Sequence, residues 1–189
     1  MSRPLPTIHA IEASDLGAYR VERLDLEFGN GERRRFERLR SRGHGAVMVA
    51  AMPDPDTVLL VSEYAAGTHR YELGLPKGKI DAGESWAEAA GREMREEIGY
   101  GATRLTRLRS LTLAPTYMSH EIHVVLAEGL FEERLEGDEP EPLEVVPWRL
   151  DALHELVLRE EFSEGRSIAA LFLLREWLRA GRPVPPDEA

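Results

Sequence analysis

The residues best suited to chemistry are three carboxylates in the string Arg92-Glu93-Met94-Arg95-Glu96-Glu97. On an α-helix, at about 100° per residue, Glu97 falls about 40° from Glu93 and Glu96 about 60° to its other side, so the three share an arc of about 100°. Ala90, Met94, Ala87 and Ile98 follow between about 60° and 140°, an apolar stripe that flanks one of the carboxylates. Like charges at this spacing repel, more strongly where they are partly buried, and call for a compensating cation. A hard divalent ion suits them: Mg²⁺ takes oxygen ligands and is commonly held by one or two carboxylates plus substrate phosphate oxygens. Glu93 and Glu97, one turn apart, can point at one ion. The plainer alternative is a solvated acidic face with Glu88–Arg92 and Arg92–Glu96 as i,i+4 pairs.

The surroundings decide between the two. Gly78, five residues, Glu84, seven residues, Arg92-Glu93, Met94, Arg95, Glu96-Glu97, Ile98, Gly99 and Tyr100 follow the pattern G-x5-E-x7-R-E-U-x-E-E-x-G-U, where U is bulky and apolar. A chance match at every identity-fixed position is on the order of 10⁻⁸ per starting point at average residue usage. The pattern resembles the signature of the Nudix hydrolases. The resemblance implies an α/β fold, a Nudix-type α/β/α sandwich with a mixed sheet, preceded here by a small N-terminal antiparallel β element. It also implies Mg²⁺ as cofactor, with Mn²⁺ as a substitute, and Glu93 and Glu97 as principal ligands. Glu96 would bind a second ion or orient water, Gly78 would let the Lys77 carbonyl reach the ion, and Glu84 would pair with Arg92. Such enzymes hydrolyse nucleoside diphosphates linked to a further group.

Beyond the box, Arg42-Gly43-His44, Tyr71-Glu72-Leu73 and Leu135-Glu136-Gly137-Asp138-Glu139-Pro140-Glu141-Pro142 resemble the ADP-ribose pyrophosphatase branch, and residues 19–180 are similar to its bacterial ADP compounds hydrolases of the NudE type. Pro115, sixteen positions after Gly99, matches a marker of that branch, while Tyr117 is similar to the dinucleoside-polyphosphate branch. The branch implies release of AMP from ADP-ribose, NADH or short diadenosine polyphosphates. It also implies a general base from a mobile loop, here Glu139, with Glu141 as an additional metal contact and Glu72 as a substrate contact. One departure stands out: Glu63 precedes Tyr64-Ala65-Ala66-Gly67 where relatives carry a phosphate-binding arginine, and two extra residues separate Glu72 from Gly78. Arg70, or Arg38 and Arg40 offered by a partner chain, would then contact phosphate. The branch further implies a homodimer built through exchanged N-terminal sheets.

The chain has 189 residues, with 24 Lys and Arg against 34 Asp and Glu, a formal charge of −10. That surplus opposes a polyanion partner and disfavours an RNA 5′-pyrophosphohydrolase. A non-catalytic nucleotide-sensing module is disfavoured because all three box carboxylates are present; a purely Mg²⁺-stabilised dimerisation domain is a further rival. No cysteine is present, which excludes thiolate metal sites and fits a reducing cytoplasm. The sequence shows no secretory or membrane-spanning segment, so a soluble cytoplasmic protein with small-molecule partners is expected.

Several elements must position the box. Residues 1–18 read as an extended arm, and Tyr19–Phe28 with Glu32–Leu39 as a hairpin around Gly29-Asn30-Gly31, its return strand arginine-rich with only Glu37 opposing. Residues 1–42 form the expected dimerisation element, 43–182 the hydrolase domain and 183–189 a frayed tail. Ala46–Met52, Thr57–Tyr64, Arg104–Ala114, Glu121–Ala127 and Leu143–Trp148 read as strands. Ser85 with Glu88 forms a capping box that starts the carboxylate helix, and Gly99 ends it. Two closing helices are expected, Asp151–Glu160 and Ser163–Ala180, with Trp148 and Trp177 in the core. The histidines lack metal-ligand spacing.

Overall fold

The computed structural model describes residues 4–17 and 19–184; the ends of the expected arm and tail, residues 1–3 and 185–189, lie outside them. Contacts divide the chain into two compact units, Met1–His44 with Thr112–Glu121, and Gly45–Leu111 with Ile122–Ala189.

In the first unit, β1 (Thr7–Leu16), β2 (Tyr19–Glu27) and β3 (Arg33–Ser41) form an antiparallel sheet in that order. The arm expected over residues 1–18 is thus mostly a paired strand. Gly31, at φ 83°, takes the left-handed conformation that the β2–β3 turn requires. The arginine-rich strand is not an open basic patch, because the register sets an acid opposite Arg33, Arg35 and Arg38, and other acids reach most of the remaining cations. Arg33 meets Glu27 at 2.8 Å, Arg35 meets Asp25 at 2.9 Å and Arg38 meets Glu22 at 2.7 Å. Arg23 closes on Glu37 at 2.8 Å, Arg34 on Glu32 at 2.7 Å, and Arg42 on Asp15. Reading β3 alone misses the acids that face it from β1 and β2. The Pro115–Ser119 stretch joins this sheet: Leu39 N–H donates to the Tyr117 carbonyl at 2.7 Å, and Ser119 N–H to the Leu39 carbonyl at 2.9 Å.

The second unit is an α/β/α sandwich. Strands β4 (Ala46–Asp54), β5 (Thr57–Ala65), β6 (Arg70–Gly74), β7 (Lys77–Lys79), β8 (Tyr100–Thr112), β9 (Glu121–Glu132) and β10 (Glu144–Arg149) form one mixed sheet. Its path is β10-β5-β4-β9-β8, with β6 on β5 and β7 on β4; β4 and β9 run parallel. Helix α1 (Trp86–Glu97) covers one face, packing on Val47, Val49, Ala51, Leu59, Val61 and Val125. The short α2 (Leu153–Leu156) and long α3 (Gly165–Arg179) cover the other, over Met48, Ala50, Met52, Val58, Leu60 and Leu126. Both faces of β4 and β5 are buried, which explains their nearly unbroken apolar runs. Trp148 and Trp177 pack against the second cluster, as expected.

Three expectations change. The Asp151–Glu160 helix shrinks to a 3-10 turn, Leu150–Ala152, and the single turn of α2. Only Leu150, Leu153 and Leu156 find core to bury, Leu158 is 85% exposed, and the chain then turns so that Phe162 enters the core. Strands β8 and β9 reach Tyr100 and Glu132, so the acidic loop that carries Asp138, Glu139 and Glu141 runs over residues 133–143, between β9 and β10. Strands β6 and β7 have no sequence signature, being short and broken by Gly74, Pro76 and Gly78. No helix among the described residues is long and apolar enough to cross a membrane.

The α1 cap is built as the sequence indicates. The Ser85 hydroxyl accepts from Glu88 N–H at 3.2 Å, and the Glu88 carboxylate accepts from Ser85 N–H at 2.9 Å. Ser85→Ala is expected to cost about 1 kcal/mol of unfolding free energy; an unchanged urea midpoint would contradict that.

Candidate functional site

Helix α1 buries Ala89, Ala90, Gly91, Glu93, Met94 and Glu97. Ala87 is only half-buried and Ala89 takes its place, which rotates the sheet-facing arc toward the carboxylates. Glu93 and Glu97 are consequently 9% and 4% exposed, while Glu96 stays half-buried. Burial pushes the Glu93 carboxyl above its ordinary range against the pull of Arg92. It pushes Glu97 up to about 8, with Lys77 only partly offsetting it.

Gly78 sits directly against Glu93: a β-carbon there would lie 1.9 Å from Glu93 Oε1, so no other residue fits without displacing the carboxylate. Its neighbour Lys77 donates its backbone N–H to both Glu97 oxygens at 3.3 Å. Arg92 is fully engaged. It grips Glu84 through Nε and Nη2 at 3.0 Å each, donates to the Lys79 carbonyl at 2.9 Å, and reaches Glu93 at 2.8 Å and Glu96 at 3.0 Å. Glu84 in turn accepts from Asp81 N–H at 3.0 Å, so one ion pair ties the β7–α1 loop to the helix.

The acidic loop lies beside this group. Leu135 N–H donates to the Arg95 carbonyl at 3.2 Å, and Gly137 approaches Glu96. Glu139 is half-buried; its carboxyl is raised by burial first and then by Asp138, and it also feels Glu63 and Glu93. The fold therefore gathers Glu84, Arg92, Glu93, Glu96, Glu97, Lys77 and Glu139. Glu141 is tied elsewhere, accepting from the Tyr71 hydroxyl. Arg70 and Glu72 join Ser163: Arg70 donates to Glu72 at 2.7 Å and to Ser163 at 3.0 Å, and Ser163 donates to Glu72 at 3.0 Å. Arg38 and Arg40 belong to the first unit, where Glu22 holds them at 2.7 and 3.6 Å.

Two features escaped sequence reasoning. The Lys77 ammonium donates to Glu63 at 2.5 Å, so the acid standing in place of an arginine has its own cation, supplied by a residue singled out only for its carbonyl. A cleft of about 500 Å³, lined by Glu63, Tyr64, Thr68, Glu72, Lys77 and Ser163 among others, opens beside that pair. Neither a long-range ion pair nor a cavity leaves a local signature.

Among the described residues no three His, Asp or Glu side chains form a closed metal cage. The donor set suits instead an open site, with a hard cation shared by two buried carboxylates, a backbone carbonyl and substrate oxygens.

The NUDIX domain family model matches residues 42–172. This chain belongs to the Nudix hydrolases. The model for the NudE-type Nudix hydrolase N-terminal domain matches residues 6–38. This Nudix hydrolase is 48% identical, over 95% of its length and 97% of the relative's, to the ADP compounds hydrolase NudE of Escherichia coli (strain K12). It is 34% identical to the ADP-ribose pyrophosphatase of Bacillus subtilis (strain 168), over 82% of this chain and 85% of the relative. A crystal structure of an ADP compounds hydrolase superposes with a TM-score of 0.86 at 46% identity, covering 97% of this chain and all of that one.

Because burial keeps Glu97 neutral up to about 8, its protonated form stabilises the metal-free fold, and stability falls as pH rises from the ordinary value of 4.5 through about 8. Glu97→Gln should therefore raise the metal-free melting temperature by roughly 4 °C or more above pH 8, and by less near pH 5. An equal shift at both would contradict the burial of charge.

Proposed function

We propose that this Nudix hydrolase uses a divalent cation, Mg²⁺ with Mn²⁺ as a substitute, to hydrolyse the pyrophosphate bond of ADP-linked compounds and release AMP. ADP-ribose, NADH and short diadenosine polyphosphates form the substrate set. The observation that carries this reading is the pair of buried carboxylates on one turn of α1, Glu93 against Gly78 and Glu97 on the Lys77 N–H, with a cleft of about 500 Å³ alongside.

Glu93, Glu97 and the Lys77 carbonyl would hold the ion, with Glu96 beside them. When bound, the cation neutralises the diphosphate, polarises the phosphorus–oxygen bond and lowers the pKa of the attacking water. Arg92 keeps Glu93 and Glu96 in place and clamps the loop through Glu84. Glu139 acts as general base: a carboxyl raised by burial and by Asp138 takes a proton from water more readily than an ordinary one. Glu141 is poised as a further metal contact if the loop moves, and Arg70 with Glu72 contacts substrate at the cleft. In a product assay with Mg²⁺, ADP-ribose, NADH and diadenosine triphosphate should each yield AMP, and chelation should stop the release. Glu139→Gln should slow turnover about 10²-fold or more, and Glu93→Gln should abolish the Mg²⁺-dependent signal. No AMP from any of the three would favour a non-catalytic nucleotide-binding module.

Residues 1–42 we assign to dimerisation and residues 43–182 to hydrolysis. In the first unit all ten residues of β1 are exposed, and Ile8, Leu24, Phe36, Pro115 and Met118 help to line an apolar groove of about 380 Å³. A second copy of this sheet would cover that surface and bring Arg38 and Arg40 within reach of the partner's phosphate site. Sedimentation equilibrium at micromolar concentration should report the mass of two chains; one chain's mass would remove the assignment. Water-filled cell interior, with no membrane or nucleic acid engaged, is the setting this reading requires.

A further inference from the structure

The β5–β6 hairpin carries an aromatic cluster that hydrolysis as described above does not use. Tyr64 and Tyr71 stand directly opposite each other in the register, with their rings edge to face and centroids 6.0 Å apart. His69 meets Tyr64 edge on at 5.9 Å. The two tyrosines remain 44% and 52% exposed. Their polar tips are nonetheless tied: Tyr64 Oη shares a 2.8 Å hydrogen bond with His69 Nδ1, and the Tyr71 hydroxyl donates to Glu141. His69 itself is held at φ 54°, a left-handed conformation uncommon for a residue with a β-carbon, and its N–H donates to the Ala65 carbonyl at 2.8 Å. These ties fix the rings, so a ligand that stacks on them meets a surface with little rotamer freedom left to lose.

The cluster adjoins the proposed reaction site on both sides. Tyr64 lines the 500 Å³ cleft together with Lys77, whose N–H donates to Glu97. Tyr71 holds the loop that also carries Glu139. Two of the carboxylates that line the cleft are engaged by neighbouring donors. Glu72 already accepts from Arg70 and Ser163, and Glu164 from the N–H groups of Arg166 and Ser167 as the cap of α3. The Lys77 ammonium, with three donors and one contact on Glu63, keeps donors for a phosphate oxygen. Alongside these polar groups the cleft presents an anion contact at Lys77 and an aromatic ring at Tyr64.

We propose that Tyr64 and Tyr71 form a stacking platform for a planar heteroaromatic ring carried by the group beyond the pyrophosphate, with Lys77 contacting the phosphate that leads to it. This inference rests on the preceding functional reading. The platform would favour a second nucleotide over a bare sugar in that position, because every base presents a π-face whereas a pentose does not.

Tyr64→Leu removes the ring, and Tyr64→Phe keeps the ring while losing only the bond to His69. Four measurements are made on each and on the wild type: KM for NADH, KM for ADP-ribose, binding of AMP, and binding of reduced nicotinamide mononucleotide read by its own fluorescence. Tyr64→Leu should raise the NADH KM and weaken mononucleotide binding about tenfold each, with the ADP-ribose KM and AMP binding unchanged. Tyr64→Phe should restore both. Equal losses for NADH and ADP-ribose, or a matching loss of AMP binding, would overturn the proposal, since the ring would then serve the adenylate half or merely support the hairpin. No change, or no binding of the mononucleotide by the wild type, would overturn it too. The mononucleotide titration needs no hydrolysis, so failure to release AMP would sink the functional reading while leaving the platform measurable.

Discussion

The second unit is organised around one costly arrangement, two carboxylates buried one turn apart on the face of α1 that packs against the sheet. Burial strips both Glu93 and Glu97 of most of their solvation and raises the pKa of each; Glu93 adds to the rise at Glu97, and Glu96 and Asp138 add to that at Glu93. Much of the surrounding sequence compensates. Gly78 gives up its side chain so that Glu93 has room, and Arg92 is drawn in to neutralise it while also binding Glu84, Glu96 and the Lys79 carbonyl. Removing Arg92 would leave several partly buried acids without a counterion, which is why the network behaves as a unit.

The two-sided sheet makes this affordable in stability. On the side away from α1, α3 and the single turn of α2 cover a core of apolar side chains, with the neutral hydroxyl of Ser167 as a buried polar neighbour. That core holds β4 and β5 in position, and β4 anchors β7 and hence Lys77 and Gly78 opposite α1. The N-terminus of α3 contributes in a second way, since Ser163 and Glu164 border the cleft. One face of the sheet thus supplies packing energy and the other bears the electrostatic strain, with the cleft reached from the ends of both.

Charge is distributed by the same logic of local pairing. The surplus of −10 is a property of the whole chain, but Arg33, Arg35 and Arg38 of β3 each face an acid across the register, so the first unit presents exposed pairs, such as Arg33–Glu27 and Arg35–Asp25, that contribute little individually to stability. Negative charge is crowded instead around the α1 carboxylates and the acidic loop, where Glu63, Asp138, Glu139 and Glu93 interact although Glu63 and Glu93 each have a cation partner. An anionic substrate is compatible with such a region only together with a cation.

By itself the sequence determined the box, its helix and both ends of that helix. Those features depend on spacing within about twenty residues, where the 3.6-residue period, the Ser85–Glu88 cap and the stop at Gly99 act locally. Apolar runs likewise announced β4, β5, β9 and β10, and alternation announced β2. Tertiary structure alone decided which acids lie inside: Ala89 rather than Ala87 faces the sheet, and that rotation buries Glu93 as well as Glu97. It also decided the pairing of Glu63 with Lys77, the neutralised β3 arginines, the short strands β6 and β7, the truncated α2, and the meeting of Tyr71 with Glu141 seventy positions later. Each of these depends on a partner distant in sequence, and burial, hydrogen bonding and Coulomb interaction act through space, where periodicity along the chain carries no information.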